Sequence, residues 1–134
     1  MNAERRTLLI ADDDAGLRAT LEDVFERHFE VRAASSGREA LDLLARDPAD
    51  AALFDVQMGE VSGLDVLREV RDRRLQLPCL LMTARPTDEV IACAGELAAG
   101  PVLCKPFGLS QVVDSVRALF ERTYGPEESP WSRN

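Results

Sequence analysis

Two adjacent carboxylates, Asp12 and Asp13, follow one short apolar run, a third, Asp55, closes another, and Thr83 and Lys105 close two more. Three carboxylates brought to one place repel one another and raise their own pKa values unless a cation sits among them. A hard divalent cation meets that need. Mg2+ takes oxygen ligands, keeps several waters and commonly pairs one or two carboxylates with a phosphate oxygen, so Asp12, Asp13 and Asp55 are the candidate protein ligands. A carboxylate held beside such an ion is placed for in-line attack on a phosphoryl group, because that transfer relies on positioning and on neutralising charge at the equatorial oxygens. Asp55 is then the candidate nucleophile. Lys105 supplies a mobile point charge to the phosphoryl oxygens and Thr83 a hydroxyl hydrogen bond. A cis Lys105–Pro106 peptide would fix how the lysine turns back toward the acids.

For these residues to meet, the runs that precede them must be strands of one sheet. Leu8 to Ala11, Glu30 to Ala34, Ala51 to Phe54, Cys79 to Met82 and Val102 to Cys104 are the candidates, and the second is the least apolar. Continuous apolar character suits strands buried on both faces. Between them, apolar residues recur at helical spacing: Leu17, Leu21, Val24 and Phe25; Ala40, Leu41 and Leu44; Leu64, Leu67 and Val70; Val90, Ile91, Ala94 and Leu97; Leu109, Val112, Val113, Val116 and Phe120. Strand and helix alternating five times predict an α/β domain with a parallel sheet and helices on both faces. Ligands of such a sheet bind beyond the carboxyl ends of the strands, where Asp12, Asp13, Asp55, Thr83 and Lys105 fall. Asp14 reads as a helix cap rather than a ligand. Ser36 with Glu39 and Ser62 with Asp65 have capping-box spacing, and Gly108 precedes Gln111 at the last helix start.

The chain has 134 residues, enough for one core and too few for two. Its 24 acidic against 16 basic residues give a net charge of −8, which disfavours direct binding to nucleic acid or to an anionic membrane. The N-terminal apolar stretch is too short for a signal peptide and no run reaches membrane-spanning length, so a cytoplasmic protein is expected. Cys79, Cys93 and Cys104 are odd in number and lack metal-site spacing; they read as small buried hydrophobes. His28 falls near the end of the first helix, where a positive charge suits the helix dipole, and Arg68, Arg71, Arg73 and Arg74 read as a solvated helix end. Residues 1–124 are expected to form the domain. Gly125 to Asn134, rich in proline, glycine and glutamate, is expected to be a mobile tail with Trp131 unanchored.

LLIADDD, LFDVQM, SGLDVL, LLMTA and CKPF, in this order and at these separations, resemble the response-regulator receiver family, CheY-like modules of two-component signalling, over roughly residues 6 to 122. The resemblance implies a flavodoxin-like doubly wound sheet of five parallel strands in the order 2-1-3-4-5, with five helices. It implies that Asp55 is phosphorylated, that Asp12 and Asp13 bind Mg2+, and that the backbone carbonyl of Gln57 completes the metal site. Thr83 matches the switch hydroxyl, Lys105 the phosphate-sensing lysine and Lys105–Pro106 a cis peptide. Gln57 and Arg85 occupy positions that border the phosphoryl group and tune its hydrolysis. The implied partners are a sensor histidine kinase or histidine phosphotransfer protein and a downstream target. The target would dock on the fourth helix, fifth strand and fifth helix, roughly Val90 to Phe120. The implied state is a monomer or weak dimer, and the implied chemistry is limited to the protein's own phosphorylation and dephosphorylation.

The sequence departs from the family in two places. The loop after Asp55 reads Met58-Gly59-Glu60-Val61-Ser62-Gly63, without the usual proline and aspartate, and Val102 stands where many receivers carry an inward-turning aromatic. A pliable loop and an altered switch are the expected consequences, with the phosphorylation chemistry intact. Other readings are weaker. A phosphorylation-independent pseudo-receiver usually lacks an acid, the acceptor or the lysine, and a haloacid-dehalogenase-type phosphatase needs an aspartate at the place of Gln57. A flavin carrier would not have so acidic a first turn. The sequence resembles single-domain regulators, with the receiver part of a longer transcriptional regulator as the alternative.

Overall fold

In the computed structural model, which describes residues 5–132, the three central strands are buried along their whole length. They are β1 (Thr7–Ala11), β3 (Ala51–Asp55) and β4 (Cys79–Thr83), with β2 (Glu30–Ala34) and β5 (Val102–Cys104) at the edges. All pairings are parallel and the order is β2-β1-β3-β4-β5, the expected topology. The helices are α1 (Ala15–Phe25), α2 (Gly37–Arg46), α3 (Gly63–Asp72), α4 (Asp88–Glu96) and α5 (Leu109–Tyr124).

The period-two alternation of strand side chains divides the apolar runs between two cores. Leu8, Ile10, Leu53, Leu80 and Met82 face Leu21 and Phe25 of α1 and Val112, Val116 and Phe120 of α5. Leu9, Phe54, Cys79 and Leu81 face Ala40 and Leu44 of α2, Val66, Leu67 and Val70 of α3, and Ala94 of α4. Ala94 is the one fully buried position of α4, whereas Ile91 is half exposed. The fourth helix therefore lies lightly on the sheet.

Helix starts follow the sequence in most places. The Asp14 carboxylate accepts from the amides of Gly16 and Leu17, and Ser62 with Asp65 forms a reciprocal capping box. Ser36 caps α2, but Glu39 reaches back to Ser35, so that box is incomplete. Gly108 begins α5 without a side-chain cap, and α4 is capped by Thr87, a signal the apolar spacing alone did not reveal.

Four expectations are corrected. As far as residue 132 the tail folds back, and the rest of it lies outside the described residues: Pro126–Glu128 form a 3-10 turn, Ser129 is buried, and Glu128 pairs with Arg6 at 2.6 Å. Trp131 packs edge-on against Phe25 and Phe29 and lies 4.7 Å from the His28 ring. An indole in reach of an aromatic patch gains more from burial than a polar tail loses in freedom. His28 lies beyond the end of α1, and burial, aided by the charges of Arg27 and Arg5, holds its pKa below the usual imidazole value. It is thus no dipole-matched cation. Arg71 is not a solvated helix end; its guanidinium donates to the carbonyls of Leu97 (2.7 Å), Leu77 (2.9 Å) and Ala98 (3.3 Å), tying α3 to the end of α4. Of the cysteines, Cys79 is buried and its thiol pushed up to about 12 by burial, but Cys104 is exposed because edge strand β5 is short.

Candidate functional site

The register of the sheet assembles the site. Asp55 pairs with Met82 and Thr83 with Cys104, while Ala11 lies opposite Phe54. The residues that end β1, β3 and β4 and follow β5 thus emerge on one edge, as the sequence predicts. One oxygen from each of Asp12, Asp13 and Asp55 lies within 4.8 Å of the others. Asp12, Asp55 and Thr83 are buried and Asp13 is exposed. The Lys105 ammonium bridges the two buried acids, 2.9 Å from Asp12 Oδ2 and 3.2 Å from Asp55 Oδ2. The Lys105–Pro106 peptide is cis.

Backbone geometry holds the acids in place. The amide of Asp14 donates to Asp12 Oδ1 at 2.8 Å, and Arg18, one turn into α1, donates to the Asp12 carbonyl at 2.8 Å. With its own carboxylate committed to the helix cap, Asp14 stands apart from the acidic cluster. The Gln57 amide donates to Asp55 Oδ1 at 3.3 Å. Behind the acceptor, Gly63 lies so close that a Cβ there would overlap the Asp55 carbonyl oxygen, and its amide donates to the Val56 carbonyl at 3.0 Å. Only glycine permits that approach.

The electrostatics follow from burial and charge. Burial first and the Asp12 charge second lift the Asp55 carboxyl to about 6, against the opposing pull of Lys105. For Lys105, burial alone would lower the pKa, but the hydrogen bond to Asp12 and the charges of Asp12 and Asp55 outweigh it and raise the net value. The lysine stays protonated, and Asp55 is ionised near neutral pH. Three clustered carboxylate oxygens with only one full positive charge among them suit a hard divalent cation such as Mg2+.

Two contacts escaped the sequence. Arg18 gives no local signal, since its partner is a backbone carbonyl six residues earlier. Gln57 also presents its side chain to the site: the Thr83 hydroxyl donates to Gln57 Oε1 at 3.1 Å and accepts from the Arg85 amide at 2.9 Å. Arg85 therefore reaches Thr83 through its backbone, and its residue is exposed.

The strand order and the acid, hydroxyl and lysine on one sheet edge place the molecule in the flavodoxin-like class of doubly wound domains. Comparison with known proteins narrows the class: the chain belongs to the response regulator receiver domain family, whose pattern matches residues 8–117, and is a receiver domain of a two-component system. It is 38% identical over 117 residues to the response regulator MprA of Mycolicibacterium vanbaalenii, covering 87% of this chain and 51% of that protein. To MprA of Mycobacterium sp. strain KMS it is 36% identical over 124 residues, covering 92% of this chain and 54% of the relative. The chain thus spans about half the length of the curated relatives it matches. Two solved structures share the fold. The chemotaxis protein CheY4 of Vibrio cholerae gives a TM-score of 0.79 at 24% identity, covering 86% of this chain and 98% of that one. The CheY-like receiver domain protein of Methanospirillum hungatei gives 0.85 at 19%, covering 90% and 97%. Among the described residues no helix is long and apolar enough to cross a membrane.

Proposed function

We propose that Asp55 accepts a phosphoryl group from the phosphohistidine of a sensor kinase or histidine phosphotransfer protein. The observation that carries this reading is the buried Asp55 carboxylate with Lys105 3.2 Å away, inside the acidic cluster. An Asp55 oxygen forms the new P–O bond as the P–N bond to the donor imidazole breaks, and the imidazole nitrogen keeps the bonding electron pair. Lys105 moves from the two carboxylates to the incoming phosphoryl oxygens, and Thr83 donates its hydroxyl proton to one of them. Asp12, Asp13, Asp55 and the backbone carbonyl of Gln57 are the groups that would hold Mg2+. When bound, the ion neutralises charge on the phosphoryl oxygens. The chemistry is confined to the protein's own phosphorylation and dephosphorylation, with no external substrate turned over.

The phosphorylated state would be read in the cytoplasm by a target protein at the α4, β5 and α5 face, where Ile91 and Leu109 are exposed, with the domain acting as a monomer or weak dimer. The test is incubation with acetyl phosphate and MgCl2, followed by intact mass of wild type and Asp55→Ala. A Mg2+-dependent gain of one phosphoryl group in wild type alone is expected. No gain in a folded wild type overturns the reading.

A further inference from the structure

We infer that Gln57 holds the Thr83 hydroxyl in the resting protein, so that phosphorylation must take the Thr83 proton away from Gln57. The inference builds on the assignment of Asp55 as phosphoacceptor and adds a positioning residue to it. A threonine hydroxyl has one proton and two lone pairs. Thr83 Oγ1 is fully buried and already accepts from the Arg85 amide at 2.9 Å, so its proton needs an acceptor. Gln57 Oε1, 3.1 Å away, is that acceptor. The opposite amide orientation would aim an N–H at the same oxygen and leave the buried hydroxyl proton without this partner, which fixes the assignment. Gln57 also donates its backbone amide to Asp55 Oδ1 at 3.3 Å, so one residue joins the acceptor to the hydroxyl.

The consequence is a competition. A Thr83 proton shared with Gln57 is unavailable to a phosphoryl oxygen on Asp55, and the resting bond opposes the switched state by its own net worth. Half-buried Val102 lacks the bulk with which an aromatic side chain at its place would bias Thr83. The Gln57 contact is what remains to hold the hydroxyl back.

The test uses beryllofluoride, a non-covalent phosphoryl mimic, with MgCl2 on the full chain, reading its dissociation constant in wild type, Gln57→Met, Thr83→Val and the double variant. Methionine keeps the length of the side chain but provides only a weak acceptor. The worth of a net hydrogen bond predicts that Gln57→Met tightens beryllofluoride binding about three- to tenfold. In the Thr83→Val background the same substitution should change nothing, since the competition has lost its object. A weaker affinity in Gln57→Met, or an equal change with and without the Thr83 hydroxyl, overturns the inference and leaves the phosphoacceptor assignment standing. A folded wild type that binds no beryllofluoride overturns both. Urea unfolding of the same four proteins without metal gives a second reading: the Gln57 and Thr83 substitutions must be non-additive there, and additivity also overturns the inference.

Discussion

Replacing Asp55 by asparagine should stabilise the metal-free protein, by an amount that depends on pH. Burial first, and the Asp12 charge second, lift the Asp55 carboxyl from its ordinary 3.8 to about 6, against the pull of Lys105. A folded-state pKa above the unfolded one means that the native protein binds the extra proton between those values. The stability that goes with the neutral carboxyl is complete below about pH 4 and is lost as pH rises through about 6. Roughly two pKa units correspond to about 3 kcal/mol. Asp55 is 3% exposed, so solvent screens little of this. Asparagine has nearly the same shape without the charge, and Lys105 keeps its 2.9 Å pair with Asp12. The gain should be close to zero near pH 4, about half of its final size at pH 5 and ~3 kcal/mol above pH 7. For a chain of this length that is a rise in Tm on the order of 10 °C. Thermal unfolding in EDTA, followed by circular dichroism at about pH 5, 6 and 7.5, measures it. A variant no more stable than wild type at pH 7.5, or a gain that does not grow between pH 5 and 7.5, refutes the reasoning.

Lys105→Met should bind Mg2+ on the order of tenfold more tightly or better, since a full charge a few ångströms from the ion is worth well over ~1.4 kcal/mol at an effective dielectric of 20; calorimetric titration checks this, and unchanged affinity would separate the lysine from the metal site. Arg71→Ala should lower stability by about 2–3 kcal/mol, because three carbonyls lose a charged donor. Hydrogen exchange should then quicken at the carboxyl end of α4. Trp131→Ala should cost about 1–2 kcal/mol in urea unfolding and, since burial is the main cause of the lowered His28 pKa, should move that pKa up toward 6.5. The sole histidine is readily followed by NMR. Because the folded value is depressed, the stability linked to neutral His28 is present above about pH 6.5 and lost as pH falls through the folded pKa; the variant should lose most of this dependence.

The sheet was legible because each central strand is an unbroken apolar run, and a residue that breaks such a run at its carboxyl end has to emerge at the sheet edge. Asp12, Asp55, Thr83 and Lys105 were found for that reason. Contacts made between side chain and distant backbone were not legible. Arg71 and Arg18 look like solvated helix arginines in sequence, since nothing local announces a carbonyl delivered by another element. Trp131 looked free because its partners, Phe25, His28 and Phe29, lie about a hundred residues earlier and meet it only once α1 and α5 share one core. The resemblance places Gln57 at the border of the phosphoryl group, but its side-chain contact with Thr83 was not legible, since the two lie 26 residues apart and meet only where β3 and β4 end side by side.

The close contact of Gly63 with the Asp55 backbone has a consequence for what the chain tolerates. The seven residues between them leave and rejoin the scaffold at nearly the same point, fastened by the Gly63 amide on the Val56 carbonyl. Met58 is tucked into the core, whereas Gly59 and Glu60 at the tip are exposed. Length added at such a tip leaves both ends where they were, at a closure cost of about 0.6 kcal/mol per doubling. Gly59, at the place of the absent proline, thus lies at the exposed tip, whereas Ser62, at the place of the absent aspartate, caps α3 beside Gly63. A short reporter peptide spliced between Gly59 and Glu60 would sit beside Asp55 without displacing it, which makes this loop a natural socket for a sensor of the protein's signalling state.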